Sequence, residues 1–323
     1  MLIEKKQIKL RIVFMGTSEL SEKILEALIT EGYNLVGVFT KTDKKIGRKQ
    51  ALTSPAVKLL AEKYNLPVFQ PQTFRQPEAV KQLKDLKPDL IVVAAYGKIL
   101  PKAVLEIPGF GCLNVHVSLL PKYRGPSPVQ NALLAGETET GITLMLMDEG
   151  IDTGDILTQK KIAILPTDTT ATLMENLAEQ GAGLLLETLP AWVERKIQPN
   201  KQDHAQASLC QLIEREDGRI FWDEDAQTIY NKYRALTPWP GIFTYWKNDA
   251  DTVRLKLISI ELQKKDPTQK RADGEVFEIG SDIGIQTGEG VILIKELQKE
   301  GKKATNIADF INGHPKFIGS ILF

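Results

Sequence analysis

Two polar residues stand inside an otherwise apolar stretch, Gly111-Cys112-Leu113-Asn114-Val115-His116-Val117. Spaced two apart on an extended chain, Asn114 and His116 present their side chains on one face. An amide N–H and an imidazole aimed at one point can polarise a carbonyl and stabilise the negative charge that gathers on its oxygen. Directly after them comes Ser118-Leu119-Leu120-Pro121-Lys122-Tyr123-Arg124-Gly125-Pro126, a loop constrained by proline and glycine. Further along, Met147-Asp148-Glu149-Gly150-Ile151-Asp152-Thr153-Gly154-Asp155 forms a dense acidic turn. An aspartate from that turn could orient the imidazole and favour its charged form. Taken alone, Asn114 and His116 read more simply as a buried polar pair satisfied by backbone, and the acidic turn as solvated.

Converging such groups requires a scaffold, and the flanking pattern describes one. An apolar run over 10–15 ends at Gly16-Thr17-Ser18, where Ser18 is a good helix N-cap. Leu20, Ile24, Leu25 and Leu28 then recur at helical spacing until Gly32. Strands at 35–39 and 66–69 flank a helix over 54–64, an alternation that predicts right-handed βαβ units. The continuous apolar run at 89–95 predicts a central strand covered on both faces. The strand at 111–117 delivers Asn114 and His116 to its carboxyl end, where open α/β sheets bind ligands. Strands at 140–147 and 156–164 flank the acidic turn, and a long helix covers 169–193. Between 197 and 208 periodicity vanishes, as in a linker. Beyond it, a helix near 224–236 and five short strands near 242–246, 253–260, 274–278, 283–287 and 290–297 suggest a small OB-like barrel. The expected architecture is therefore α/β: a Rossmann-like, mostly parallel sheet domain over 1–203 and a small OB-like β-barrel domain over 204–323.

The chain has 323 residues, with 41 Lys+Arg against 41 Asp+Glu. Neutrality argues against a generally basic nucleic-acid coat protein and a polybasic membrane-surface protein. Cys112 and Cys210 are too few for a disulfide scaffold and fit a reducing compartment. Without a spanning apolar run or a signal-peptide pattern, an untargeted cytoplasmic protein with no membrane partner is expected. No G-x-G-x-x-G follows the first strand, so a nicotinamide site is unsupported. His204 and His314 are too isolated to suggest a metal, and none is expected. Residues 204–323 hold 16 basic and 18 acidic residues. Any RNA contact must therefore come from placed clusters, not from bulk charge.

The combined pattern, Asn114-x-His116-x-Ser118-Leu119-Leu120-Pro121-x-x-Arg124-Gly125 followed by Asp148-x-Gly150-x-Asp152-x-Gly154, resembles the folate-dependent formyltransferase family. Three further stretches are similar to the branch of that family that acts on methionyl-tRNA. They are Arg11-Ile12-Val13-Phe14-x-Gly16-Thr17, Pro67-Val68-Phe69-Gln70-Pro71, and Leu297-Gln298-x-Glu300-Gly301-Lys302-Lys303. The resemblance implies that Asn114, His116 and Asp152 form the catalytic group. It also implies that Ser118, Leu119, Leu120 and Pro121 line the folate site, with the Asp148 loop closing round the pterin. The formyl donor would be 10-formyltetrahydrofolate and the acceptor the methionine amine of initiator methionyl-tRNA.

Residues 41–50 hold five basic residues and one acid, and in this family an insertion here enters the tRNA acceptor stem. Gly47-Arg48 match its Gly-Arg, while flanking prolines are missing and Lys49-Gln50 replace a Lys-Lys. Lys44, Lys45, Arg48, Lys49, Lys302 and Lys303 are the expected tRNA contacts, made by a monomer. Alternatives from the residues alone are formyl transfer to an amino sugar, hydrolysis of the formyl-folate, or a non-catalytic RNA-binding protein. A polar pair with a distant aspartate argues against the last.

Overall fold

A computed structural model of the chain describes residues 10–46, 50–248, 251–263 and 271–323. It divides into two compact units. The first takes the chain up to Pro128, Glu139–Ile164 and Met174–Gln211; the second takes Val129–Thr138, Leu165–Leu173 and Leu212–Phe323.

The first unit opens with β1 (Arg11–Gly16), α1 (Glu19–Thr30) and β2 (Asn34–Phe39). A small hairpin of β3 (Lys44–Ile46) and β4 (Ala51–Thr53) follows, then α2 (Ala56–Lys63) and β5 (Val68–Phe69). Next come α3 (Pro77–Asp85), β6 (Leu90–Ala94), α4 (Lys102–Leu105) and β7 (Cys112–His116). β8 (Glu139–Leu146) and β9 (Asp155–Ala163) complete the sheet; α5 (Pro128–Leu134), ahead of β8, counts with the second unit from Val129, and α6 (Thr170–Val193), after β9, with the first from Met174.

The sheet runs β5-β2-β1-β6-β7-β8-β9. Strands β5 to β7 are mutually parallel, while β8 and β9 run antiparallel. The pairing of β8 with β9 has a plain cause: only the acidic turn joins them, and a connection that short cannot carry the chain back to a parallel start. Strand β6 is buried along its whole length, as its unbroken apolar run predicts. Each of its larger side chains contributes roughly 1.5–3 kcal/mol by leaving water. With Val13, Met15, Phe39 and Cys112 it forms the core that fixes the height of β7.

Two departures from the sequence expectation bear on function. The charged stretch over 41–50, to which the sequence pattern assigns no strand, enters the β3–β4 hairpin, with Lys44 opposite Thr53 and Lys45 opposite Leu52. Both faces of that hairpin are exposed where described, so no hydrophobic alternation marks it. The segment expected as a linker is tied down: Asn200 pairs with Ile156, and Leu209 with Arg124. Main-chain pairing of this kind has no sequence period, which is why the segment reads as a linker.

The second unit contains α7 (Ala226–Leu236), N-capped by Asp225. The strands β10 (Ile242–Asn248), β11 (Asp251–Leu262), β12 (Val276–Ile279), β13 (Asp282–Gln286), β14 (Val291–Lys299) and β15 (Ala304–Asn306) follow, then α8 (Ile307–Gly313). The antiparallel order is β10-β11-β14-β13-β12, with β15 against β14. The C-terminal residues bridge the two edges, Leu322 against Trp246 of β10 and Ile321 against Glu275 beside β12. That insertion covers both exposed edges and gives the sheet its OB-like closure. No helix among the described residues is long and apolar enough to cross a membrane.

Candidate active site

Strand β7 lies between β6 and β8, with Asn114 in register with Val93 and Met145, and His116 with Thr143. This ladder brings the two polar residues to the carboxyl end of the parallel sheet, close to where the strand order reverses between β1 and β6. The acidic turn folds over the same end and brings Asp152 to both. Asn114 Nδ2 donates to Asp152 Oδ1 at 3.2 Å, and His116 Nδ1 faces Asp152 Oδ2 at 3.6 Å.

The hydrogen bonds assign parts to these atoms. His116 Nε2 lies 3.0 Å from the Tyr123 carbonyl, which can only accept, so Nε2 carries a hydrogen. The opposite nitrogen, Nδ1, therefore faces the carboxylate across a gap too long for a hydrogen bond. Asn114 meets Asp152 through one of its two amide hydrogens, and the other remains for a ligand oxygen. Asp152 Oδ2 also accepts from the backbone N–H of Gly125 at 2.8 Å. Gly125 has φ +112°, a conformation that favours glycine. Asp152 itself sits at φ +52°, which costs a non-glycine residue about 1–3 kcal/mol and persists only when neighbours hold it.

The two loops that carry this group are cross-braced. Buried Thr143 donates from Oγ1 to the Ser118 carbonyl (2.7 Å) and accepts from Leu120 N (3.1 Å) and Gln159 Nε2 (2.9 Å). Gln159 Nε2 also donates to the Leu120 carbonyl at 2.8 Å. Gly154 passes so close to the Leu146 carbonyl that a Cβ there would lie 1.9 Å from it. Residues that sequence reasoning left out of the site, Gln202 above all, join the two loops; only its place in a polar stretch after the long helix hinted at a role.

Of the expected folate-loop residues, Ser118 and Leu120 are buried, while Leu119 and Pro121 are half-buried. Ser118 Oγ donates to the Lys122 carbonyl at 2.8 Å, so it serves the loop and is not a free nucleophile. Asp148 does not join the Asn114–His116–Asp152 group. Its Oδ1 accepts from Gly150 N (3.0 Å) and Thr153 Oγ1 (2.6 Å), which shapes the turn. Burial pushes the Cys112 thiol up to about 12 and the Cys210 thiol up to about 11, so neither is a reactive thiolate at neutral pH. Among the described residues no cluster of three or more His, Cys, Asp or Glu could hold a metal ion.

Lys44 and Lys45 are exposed on the hairpin, whereas Arg48 and Lys49 lie outside the described residues. The base of the hairpin is held by Asp43, which accepts from Lys58 (2.8 Å), Gln70 (2.9 Å) and Ser54 (3.1 Å). The Lys58 ammonium, then Gln70, hold its carboxyl below the usual carboxylate range. Burial first, and a neighbouring lysine second, lower the ammonium groups of Lys41 and Lys98. A positive region therefore lies next to the hairpin. In the second unit, Lys302 and Lys303 are exposed in the turn between β14 and β15.

The "Formyl transferase" family signature matches residues 10–189, and "Formyl transferase, C-terminal domain" matches 212–315. The methionyl-tRNA formyltransferase of Caldicellulosiruptor saccharolyticus is 46% identical over 314 residues, covering 96% of this chain and 99% of that protein. The methionyl-tRNA formyltransferase of a Geobacillus species is 45% identical over 307 residues, covering 94% of each. Among solved structures, an N-formyltransferase from Helicobacter canadensis in complex with folinic acid and dTDP-3-aminofucose has a TM-score of 0.65. At 22% identity, over 90% of this chain and 99% of that one, it shares the fold. An amide, an imidazole and a carboxylate gathered at one strand end, on a scaffold matched over both units, make this chain a member of the formyl transferase family.

Proposed function

We propose that the chain transfers the formyl group of 10-formyltetrahydrofolate to the α-amino group of methionine on initiator methionyl-tRNA. The observation that carries this reading is the meeting of Asn114, His116 and Asp152 at the carboxyl end of β7. The donor set suits direct transfer between two bound nitrogens, because no nucleophilic thiol or hydroxyl belongs to it. When bound, 10-formyltetrahydrofolate supplies an activated formyl carbon: its bond to N10 breaks as the bond to the methionyl nitrogen forms, and the amine proton passes to the departing nitrogen. Asn114 donates its second amide hydrogen to the oxygen that gains charge, His116 adds a donor once Nδ1 has taken a proton, and Asp152 accepts from Asn114 and faces His116 Nδ1. Such an amine has a pKa near ~8 and attacks only when neutral, so Asp152 and His116 Nδ1 are the groups that take its proton and hand it on. Ser118, Leu119, Leu120 and Pro121 line the folate site, and the turn shaped by Asp148 closes it.

The acceptor is an RNA in this reading because the molecule carries two exposed basic elements with no use for a small amine. These are the hairpin with Lys44 and Lys45, with Arg48 and Lys49 nearby in the sequence, and the turn with Lys302 and Lys303. All the groups come from one chain, which we take to act as a cytoplasmic monomer. A transfer assay with labelled 10-formyltetrahydrofolate tests the proposal, with initiator methionyl-tRNA, elongator methionyl-tRNA and an amino sugar nucleotide offered side by side. Label moving to the initiator tRNA is the expected result. Label moving only to the sugar, or released only as formate, overturns it.

A further inference from the structure

After α6 the chain returns across both site loops as a strap. Ile156 and Asn200 exchange main-chain hydrogen bonds of 2.8 Å in each direction. Farther along, Arg124 N donates to the Ser208 carbonyl (2.9 Å), and Cys210 N donates to the Arg124 carbonyl (2.7 Å). Between these anchors lies Gln202, only 5% exposed. Its Oε1 accepts from Arg124 Nε (3.1 Å) and Nη2 (2.7 Å). Its Nε2 donates to the carbonyls of Asp152 (2.9 Å) and Gly154 (2.7 Å).

These bonds close a circuit. Gln202 binds Arg124; the next residue, Gly125, donates to the Asp152 carboxylate; and the Asp152 carbonyl returns to Gln202. We infer that Gln202 is a positioning residue for the transfer, holding Asp152 in its left-handed conformation at the height where its carboxylate meets Asn114 and His116. The inference rests on the formyl-transfer reading above. Only a primary amide fits the place. Arg124, also contacted by His204 Nδ1, offers only donors, whereas the acidic turn offers only carbonyl acceptors. A carboxylate at position 202 would keep the Arg124 bonds and set an oxygen against two carbonyls.

The test compares wild type, Gln202→Glu, Asp152→Asn and the double variant in steady-state formyl transfer. Gln202→Met, which fills similar space without hydrogen bonds, guards against a fault peculiar to the added charge. Misplacing a reacting group by about 1 Å costs up to ~100-fold, so Gln202→Glu and Gln202→Met are expected to lower kcat about 10- to 100-fold. KM for methionyl-tRNA should stay within about 3-fold of wild type, since the strap touches none of the proposed RNA contacts. Because Gln202 acts through Asp152, the double variant should lie within about 3-fold of Asp152→Asn alone. Wild-type kcat in either Gln202 variant overturns the role, and so do losses that multiply in the double variant. A wild-type chain that moves no formyl group overturns the functional reading instead.

Discussion

The two loops at the end of β7 and the β3–β4 hairpin are built on opposite principles. The loops are tied to each other, to β8 through Thr143 and to the strap through Gln202, with most tying groups buried. The hairpin is exposed where described and is held at its base by Asp43. Groups that act on a reacting atom must be held within a fraction of an ångström, and burial lets hydrogen bonds do that. Groups that meet an RNA backbone must reach outward, and their attraction works through solvent. On the proposed function, the molecule separates chemistry from recognition by how strongly each region is braced.

The largest test of that contrast is at the braced end. His116→Ala is expected to lower kcat by about 10²–10⁴-fold, measured in the transfer assay at saturating substrates. Next comes the bracing itself. Thr143→Val preserves shape but leaves the Ser118 carbonyl and Leu120 N–H without their partner. It is expected to lower unfolding free energy by about 2–4 kcal/mol in denaturant titrations. At the exposed end effects should be smaller and dependent on salt. Lys44→Ala with Lys45→Ala is expected to raise KM for methionyl-tRNA several-fold and to reduce the slope of log affinity against log salt by about 1–2.

The smallest effect concerns Asp43. Its carboxyl is held low by the Lys58 hydrogen bond, so its contribution is full above the unfolded carboxylate value near ~3.9 and is lost as pH falls through the lower folded value. Protection factors of the hairpin amides, taken relative to the intrinsic exchange rate at each pH, should therefore be even from pH 5 to 8 and fall only below about pH 4.

Much of this was legible in the residues. The unbroken apolar run of β6 and the spacing of Leu20, Ile24, Leu25 and Leu28 mark the elements that carry β7. The Asn114–His116 spacing, with the acidic turn, marks the group that converges. What stayed hidden has physical reasons. Helix α3 buries only Ala79 and Leu83, too thin a face to register as a period. The hairpin has no apolar alternation where described. Gln202 works through bonds to backbone carbonyls more than thirty residues away, and no local pattern encodes such partners. Asp148 lies in the same acidic turn as Asp152, and only the fold separates the residue that shapes the turn from the one that meets the imidazole.

The division between braced chemistry and exposed recognition is tested most directly by the single-turnover rate at saturating methionyl-tRNA, compared between the Lys44→Ala, Lys45→Ala double variant and His116→Ala. The account predicts a rate within about 2-fold of wild type for the lysine variant and a loss of at least about 100-fold for His116→Ala. Comparable losses in both would contradict it.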